Sequence, residues 1–316
     1  MPEIPMTYAE AALLRLSAVL AQRGYQFVTP TPATHARVVA RPDRRVARDL
    51  RDILGWSLPF DSAQADAEIC ALLDAAGAIA PADGGLCRSM LRVSTLKGAR
   101  YFHSAYPTEA EDSVFFGPDS YRFADLIEAE LAALPVRAGG AIVDIGTGAG
   151  VGAIVAAKLS PGAAVWMTDI NPAALRLAAI NARAAGVEVR GVEGDTLDSV
   201  AAPIDLALAN PPYLVDAGAR AYRDGGGMQG GQVSIDMARM AVGRLAPRGR
   251  LILYTGSAIV RGEDLLQDRL SELAMEADCD LRYRELDPDM FGEELEAAAY
   301  AAVERIAIVA AVFTMR

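Results

Sequence analysis

Asn210, Pro211, Pro212 and Tyr213 follow directly on the apolar run Ile204 to Ala209, and together their types suit the holding of a planar nitrogen for attack on an electrophilic carbon. An amide or aromatic amino nitrogen is a poor nucleophile because its lone pair is delocalised. Two acceptors aimed at its N–H bonds favour the pyramidal form that develops during attack. The Asn210 side-chain oxygen and the Pro211 carbonyl can serve as that pair. Pro212 restricts Pro211 to an extended conformation, which fixes where its carbonyl points. Tyr213 offers a ring to stack on the planar group. No dedicated base is needed before transfer, and alignment alone can supply roughly 7 to 11 kcal/mol in favourable cases.

The electrophile needs its own site. In Val143-Asp144-Ile145-Gly146-Thr147-Gly148-Ala149-Gly150 an apolar strand runs into a glycine turn and then into the helical stretch Val151 to Leu159. Gly146, Gly148 and Gly150 allow close approach of a ligand, with a helix N-terminus behind them. Two details separate this from the dinucleotide fingerprint. Position 151 is Val, and Asp144 precedes the turn. A carboxylate there repels a pyrophosphate and suits a ligand carrying an ammonium and a sulfonium. Thr168-Asp169-Ile170-Asn171 ends the next strand, where Asp169 can take both hydroxyls of a ribose. Gly194-Asp195-Thr196 closes a third, within reach of an adenine edge. A packing-only role for the glycines and a nicotinamide nucleotide are the rival readings.

These residues need elements to hold them. Strands are expected at Ala141 to Gly146, Ala164 to Ile170, Val187 to Glu193, Ile204 to Ala209 and Arg250 to Thr255. Leu281 to Leu286 and Ile306 to Phe313 would complete a seven-stranded sheet. Apolar runs of this length alternating with Ala-rich helical stretches are the pattern of an α/β, mainly parallel sheet covered on both faces. Ahead of it, Thr7 and Glu10 have capping-box spacing for a first helix. Arg44 to Leu54 and Asp66 to Ala76 read as helices, and Leu91 to Leu96 with Tyr101 to Ala105 as two strands turning at Lys97-Gly98. Helices followed by a hairpin predict a small winged-helix-like module. Gly225, Gly226, Gly227, Gly230 and Gly231 predict a mobile loop, placed to act as a substrate lid. Met237 and Met240 read as core.

The 316 residues leave room for two domains, and 52% hydrophobic with 22% charged residues excludes a mostly disordered chain. A net charge of −11 gives no general drive toward nucleic acid or anionic membrane. Cys70, Cys87 and Cys279 lack disulfide or metal spacing, which predicts a reduced, metal-free cytoplasmic protein. No apolar run approaches the roughly 20 residues that span a bilayer. Arg37, Arg41, Arg44, Arg45, Arg48 and Arg51 form a basic cluster interrupted by Asp43, Asp49 and Asp52. It reads as a solvated helix with ion pairs, or as a handle for nucleic acid.

In this order the motifs resemble those of class I S-adenosylmethionine-dependent methyltransferases, and the tetrapeptide resembles that of amino-methyltransferases acting on glutamine amides, adenine N6 or guanine N2. Within these the chain is most similar to the HemK/PrmC-type protein-(glutamine-N5) methyltransferases. The resemblance covers about residues 110 to 316 and is only architectural before that. It implies a Rossmann-like seven-stranded methyltransferase domain over 109–316, behind a smaller, mainly helical substrate-recognition domain over 1–108. It implies S-adenosyl-L-methionine on Asp144, Gly146, Thr147, Gly148 and Gly150, with ribose at Asp169 beside Ile170 and Asn171. Adenine would lie at Asp195 and Thr196, and Asn210 would touch both donor and acceptor. Phe115-Phe116-Gly117-Pro118-Asp119-Ser120-Tyr121-Arg122-Phe123 resembles the segment that closes over the cofactor, with Pro118 in the pocket, although it departs from the family's usual Pro-Arg-x-Glu-Thr; Phe115, Phe116 and Phe123 alternatively form interdomain core. A protein glutamine leads as acceptor, followed by a nucleic-acid base and a small metabolite; a non-catalytic binder is the rival of another class. The sequence leaves the oligomeric state open.

Overall fold

The computed structural model describes residues 6–108, 110–200, 203–216, 220 and 222–316. The capping box forms: Thr7 Oγ accepts from the Glu10 N–H at 3.2 Å, and Glu10 Oε2 accepts from the Thr7 N–H at 2.8 Å. It starts α1 (Tyr8–Gln22). The next helix, α2 (Pro32–Val39), has no counterpart among the elements expected from the sequence. Thr31 caps it and Pro32 fills its first turn, where a missing N–H is harmless.

The helix expected over 44–54 is instead a turn followed by the short α3 (Leu50–Leu54). Asp49 Oδ1 accepts from the Asp52 N–H at 2.9 Å and Asp52 Oδ2 accepts from the Arg48 N–H at 3.0 Å. These side chains compete with helical hydrogen bonding and hold the chain in a cap. Asp66 caps α4 (Ala67–Ala75). Two antiparallel ladders follow, β1 (Ile79–Pro81) with β2 (Cys87–Ser89) and β3 (Leu91–Leu96) with β4 (Ala99–Ser104). The second turns at Lys97-Gly98 as expected.

Beyond α5 (Pro118–Ala133) the chain alternates: β5 (Ala141–Ile145), α6 (Val151–Leu159), β6 (Ala164–Asp169), α7 (Pro172–Ala184), β7 (Arg190–Glu193), β8 (Ile204–Ala209), α8 (Gln232–Val242) and β9 (Leu245–Val260). It ends with β10 (Glu263–Asp264), α9 (Leu265–Glu276), β11 (Cys279–Asp287) and β12 (Arg305–Met315). The strand order is β11-β12-β9-β8-β5-β6-β7, with β10 paired to β9 off this path. β7, β6, β5, β8 and β9 run parallel, whereas β12 lies antiparallel between β9 and β11. β9 extends well beyond the expected 250–255.

Both faces are buried, and successive strand residues alternate between two cores. Ile142, Leu206, Leu208, Ile252 and Tyr254 face α5, α6 and α7. Val143, Ala207, Ala209, Leu251 and Leu253 face α8 and α9. The first core continues without a break into the N-terminal residues Leu16, Leu20, Phe60 and Phe102. Asn181, fully buried on α7, ties the two parts together. Its Oδ1 accepts from the Phe102 N–H at 2.8 Å, and its Nδ2 donates to the carbonyls of Phe102 at 3.0 Å and Ala149 at 2.9 Å.

Candidate active site

The chain leaves β5 in opposite directions, toward β6 and β7 on one side and β8 and β9 on the other, so a crevice opens at the carboxyl ends of β5 and β8. Ile145 pairs with Ala209 there, which makes Gly146 and Asn210 neighbours at the switch point. A cavity of about 610 Å³ fills the crevice.

The glycine turn is built around Asp144. This carboxylate is 2% exposed, and its Oδ2 accepts from Thr147 Oγ1 at 2.5 Å and from the Ala153 N–H at 2.9 Å. Burial pushes its pKa up to about 6, opposed by Thr147 and Ala153 and assisted by the charge of Asp169. Asp144 Oδ2 therefore clamps the turn to α6 from beneath, while the carboxylate also lines the cavity. Gly152 admits it, since a β-carbon there would lie 2.5 Å from Asp144 Oδ1. Gly146, at φ 64°, leaves space beside the Met237 methyl. Gly150, at φ 87°, does not line the cavity, and a β-carbon there would meet Ala178 on α7 at 3.1 Å. Its role is close helix packing.

Asp169 Oδ2 accepts from the Gly148 N–H at 2.9 Å and Oδ1 from the Asn171 N–H at 2.9 Å. Each oxygen keeps a further lone pair toward the cavity, which matches a vicinal diol. Burial raises this carboxyl above its ordinary range against those backbone donors. Ile170, 57% exposed, gives an apolar wall beside it, and Asp195 lines the far end, whereas Thr196 does not reach the cavity. The lining carries seven carboxylate side chains and one guanidinium, Arg223, which is itself paired with Asp216 and Glu294. Such a cavity opposes a pyrophosphate and fits a cationic nucleoside such as S-adenosylmethionine.

At the other wall, Asn210 is half-buried, and among the described residues its side chain makes no hydrogen bond. Pro211, Pro212 and Tyr213 line the cavity beside it. Tyr213 is 8% exposed, with its ring pressed on Gly256 of β9 and 6.0 Å from that of Phe291. Its hydroxyl closes no hydrogen bond but lies by Asp119, whose Oδ1 accepts from Tyr254 at 2.8 Å. Burial raises the Asp119 carboxyl, opposed by Tyr213 and Tyr254. Pro118 and Ser120 of the same segment also line the cavity, as does the half-exposed Phe115, whereas Phe116 lies in the core behind it. Phe123 reaches both.

Of the five glycines expected to form a mobile loop, Gly225 and Gly230 are tightly packed, whereas Gly226 and Gly227 have ordinary spacing around them. A β-carbon at Gly225 would lie 2.0 Å from the Gly230 carbonyl oxygen, and one at Gly230 would lie 2.3 Å from that of Tyr213. The segment folds back on the tetrapeptide, where Gly225 donates to Leu214 at 2.7 Å. Met237 and Met240, expected as core, form part of the cavity wall. Tyr222, Met290 and Phe291 also line it, and no spacing in the sequence signals them. Asn181 is an exception: a lone amide on an otherwise apolar helix face is a legible sign of a buried polar link.

The profile of the methyltransferase small domain family matches residues 128–278. The chain is 34% identical over 182 residues to the release factor glutamine methyltransferase of Rhodospirillum rubrum, a match that covers 54% of this chain and 55% of that protein. A second protein of that name, from Cereibacter sphaeroides, is 30% identical over 238 residues, covering 70% of this chain and 82% of its own length. The chain thus spans about half the length of the first relative and most of the second. The crystal structure of wild-type Trm5b from Pyrococcus abyssi shares the fold, with a TM-score of 0.50 at 17% identity over 72% of this chain and 58% of that one. Among the described residues no helix is long and apolar enough to cross a membrane.

Proposed function

The chain belongs to the HemK/PrmC-like group of class I S-adenosylmethionine-dependent methyltransferases, and from that premise we propose that it methylates the side-chain amide nitrogen of a glutamine in a protein, a peptide release factor. The observation that carries this reading is the meeting of the Asn-Pro-Pro-Tyr segment with the glycine turn at the switch point, with the Asn210 amide unengaged. The donor would supply a methyl group on a positively charged sulfur: the N–C bond forms as the S–C bond breaks, S-adenosylhomocysteine is the leaving group, and the methylated nitrogen gives up one proton to solvent as the product departs. Asp169, Gly146, Gly148, Asn171 and Asp195 would hold its nucleoside, and Pro118 would close over it.

Asn210 Oδ1 and the Pro211 carbonyl accept the two N–H bonds of the incoming amide, which turns its lone pair out of conjugation. Tyr213, fixed by Gly256, sets the wall against which the amide rests. Met237 and Phe291, apolar residues of the cavity lining, would limit the access of water to the nitrogen. We assign substrate recognition to residues 1–108 and transfer to 109–316, in the cytoplasm, where the three free cysteines stay reduced.

Purified enzyme incubated with methyl-tritiated donor and full-length release factor should place one labelled methyl on a glutamine, located by mass spectrometry. Label found in RNA or in metabolites, with none in the release factor, would replace this reading with a base or small-molecule acceptor.

A further inference from the structure

A second cavity of about 300 Å³ opens in the N-terminal part of the chain. Its floor is aromatic: the His35 ring lies 4.1 Å from that of Tyr106 and 5.3 Å from that of Trp56. Its rim is cationic, with Arg44, Arg45 and Arg88 in the lining and no acidic side chain among them. Arg44 is paired with Asp52 at 2.8 Å and lies over the Trp56 ring. Among the described residues, Arg45 and Arg88 join no ion pair, and the buried Arg88 Nε has no acceptor.

His35 is 1% exposed, and neither ring nitrogen has a hydrogen-bond partner; the Trp56 backbone lies near without meeting the geometry of one. Buried polar atoms are satisfied almost everywhere in folded proteins. An orphaned ring on the floor of a cationic cavity therefore marks a place that a ligand completes. Position adds to this. Pro32 of α2 lines the catalytic cavity and Val39, at the other end of that helix, lines the second, as do Thr108 and Pro107 respectively. The helix between them rises about 10 Å, so an extended chain in the catalytic cavity needs only about three residues to reach the second.

We propose that the second cavity is an anion subsite, which seats an acidic side chain of the protein substrate while its glutamine occupies the catalytic cavity. The carboxylate accepts from a ring N–H of His35 and meets the free guanidiniums of Arg45 and Arg88, while the methylene stem lies against Trp56 and Tyr106. A net charge of −11 opposes a polyanion such as RNA and leaves a single carboxylate as the better fit. The subsite rests on the protein-substrate reading above, and its test is read without methyl transfer.

His35 and His103 are the only histidines, so the imidazole spectrum of protein labelled with 15N-histidine contains two ring systems. His103, bonded to Ser94 at 2.8 Å and packed on Phe116, reports on the fold. Titration of the full chain with the singly acidic N-acetylated peptide amide Gly-Gly-Glu-Gly should shift the His35 resonances and leave those of His103 in place. The double variant R45A/R88A, and separately R45E, should weaken that response at least tenfold with His103 unmoved. A His35 signal that ignores the peptide would overturn the subsite, and so would tighter binding of a tetrauridylate, which would make the cavity an RNA contact. If the peptide response holds and the release factor takes no methyl, the subsite stands and the acceptor assignment falls.

Discussion

Replacing Gly256 with alanine measures how finely the tetrapeptide must be seated. Gly256 pairs with Ile308 inside the sheet, and its φ is one that alanine adopts freely. The perturbation is thus confined to one methyl group. That β-carbon would lie 2.4 Å from Tyr213 Cδ2 and 2.9 Å from Cε2, where ordinary contacts begin at 3.4 Å, so the ring must retreat by about 1 Å. It has little room, because Tyr213 is 8% exposed and Phe291 and Asp119 close its other sides. Overpacking of this kind costs about 1–3 kcal/mol, which lowers the melting temperature by several degrees in a chain of this size. The effect on chemistry is larger, since a displacement of 1 Å in reactive geometry is worth on the order of 100-fold in rate. We expect kcat with full-length release factor to fall about 100-fold, while calorimetric affinity for S-adenosylhomocysteine, most of whose proposed contacts lie at the ends of β5, β6 and β7, changes by less than about threefold. A variant that keeps kcat within about threefold of wild type while unfolding at a lower temperature would refute the claim that Tyr213 positions the acceptor.

Asp169→Asn should weaken S-adenosylhomocysteine binding by roughly 1.5–3 kcal/mol, through loss of two charge-assisted hydrogen bonds to ribose; an unchanged calorimetric Kd would place the ribose elsewhere. Asn181→Ala removes three buried hydrogen bonds and strands the Phe102 N–H, so denaturant unfolding should show a loss of about 3 kcal/mol, and a loss under about 1 would mean that the link is dispensable. Burial, then the charge of Arg92, presses the His35 pKa down to about 4 from 6.5. The unfolded chain therefore takes up a proton below pH 6.5 that the folded one refuses until about 4, and this residue removes stability as pH falls through that window. The urea midpoint of His35→Phe relative to wild type should accordingly rise between pH 7 and 4, and parallel curves would contradict the assignment.

The parallel sheet was legible because its strands are buried on both faces, which demands apolar runs such as Ile204 to Ala209, where Asp205 is the one polar residue and no polar alternation blurs the pattern. The glycine turn was legible because Gly146 and Gly148 sit between a strand and a helix, and because the next strand ends in Asp169, which lines the same cavity. What escaped was set by contacts remote in sequence. Gly225 and Gly230 look free in isolation, and only the approach of the Tyr213 backbone shows why they lack side chains. Asp144 reads from the sequence as a ligand alone, and only the contacts of Thr147 and Ala153 with its Oδ2 show that it also clamps the turn. Met237 belongs to a helix face that is core at one end and cavity wall at the other. The helix expected from Arg44 failed because Asp49 and Asp52 find local backbone donors, a competition that periodicity does not register.

The amide of Asn181 reaches the hairpin at Phe102 and the donor turn at Ala149 from one side chain. Neither can open to solvent without disturbing the other, so both belong to a single cooperative unit of the native state. A ligand that quiets the turn would therefore also slow exchange at the hairpin amides, so occupancy of the cavity would be felt in the N-terminal part of the chain.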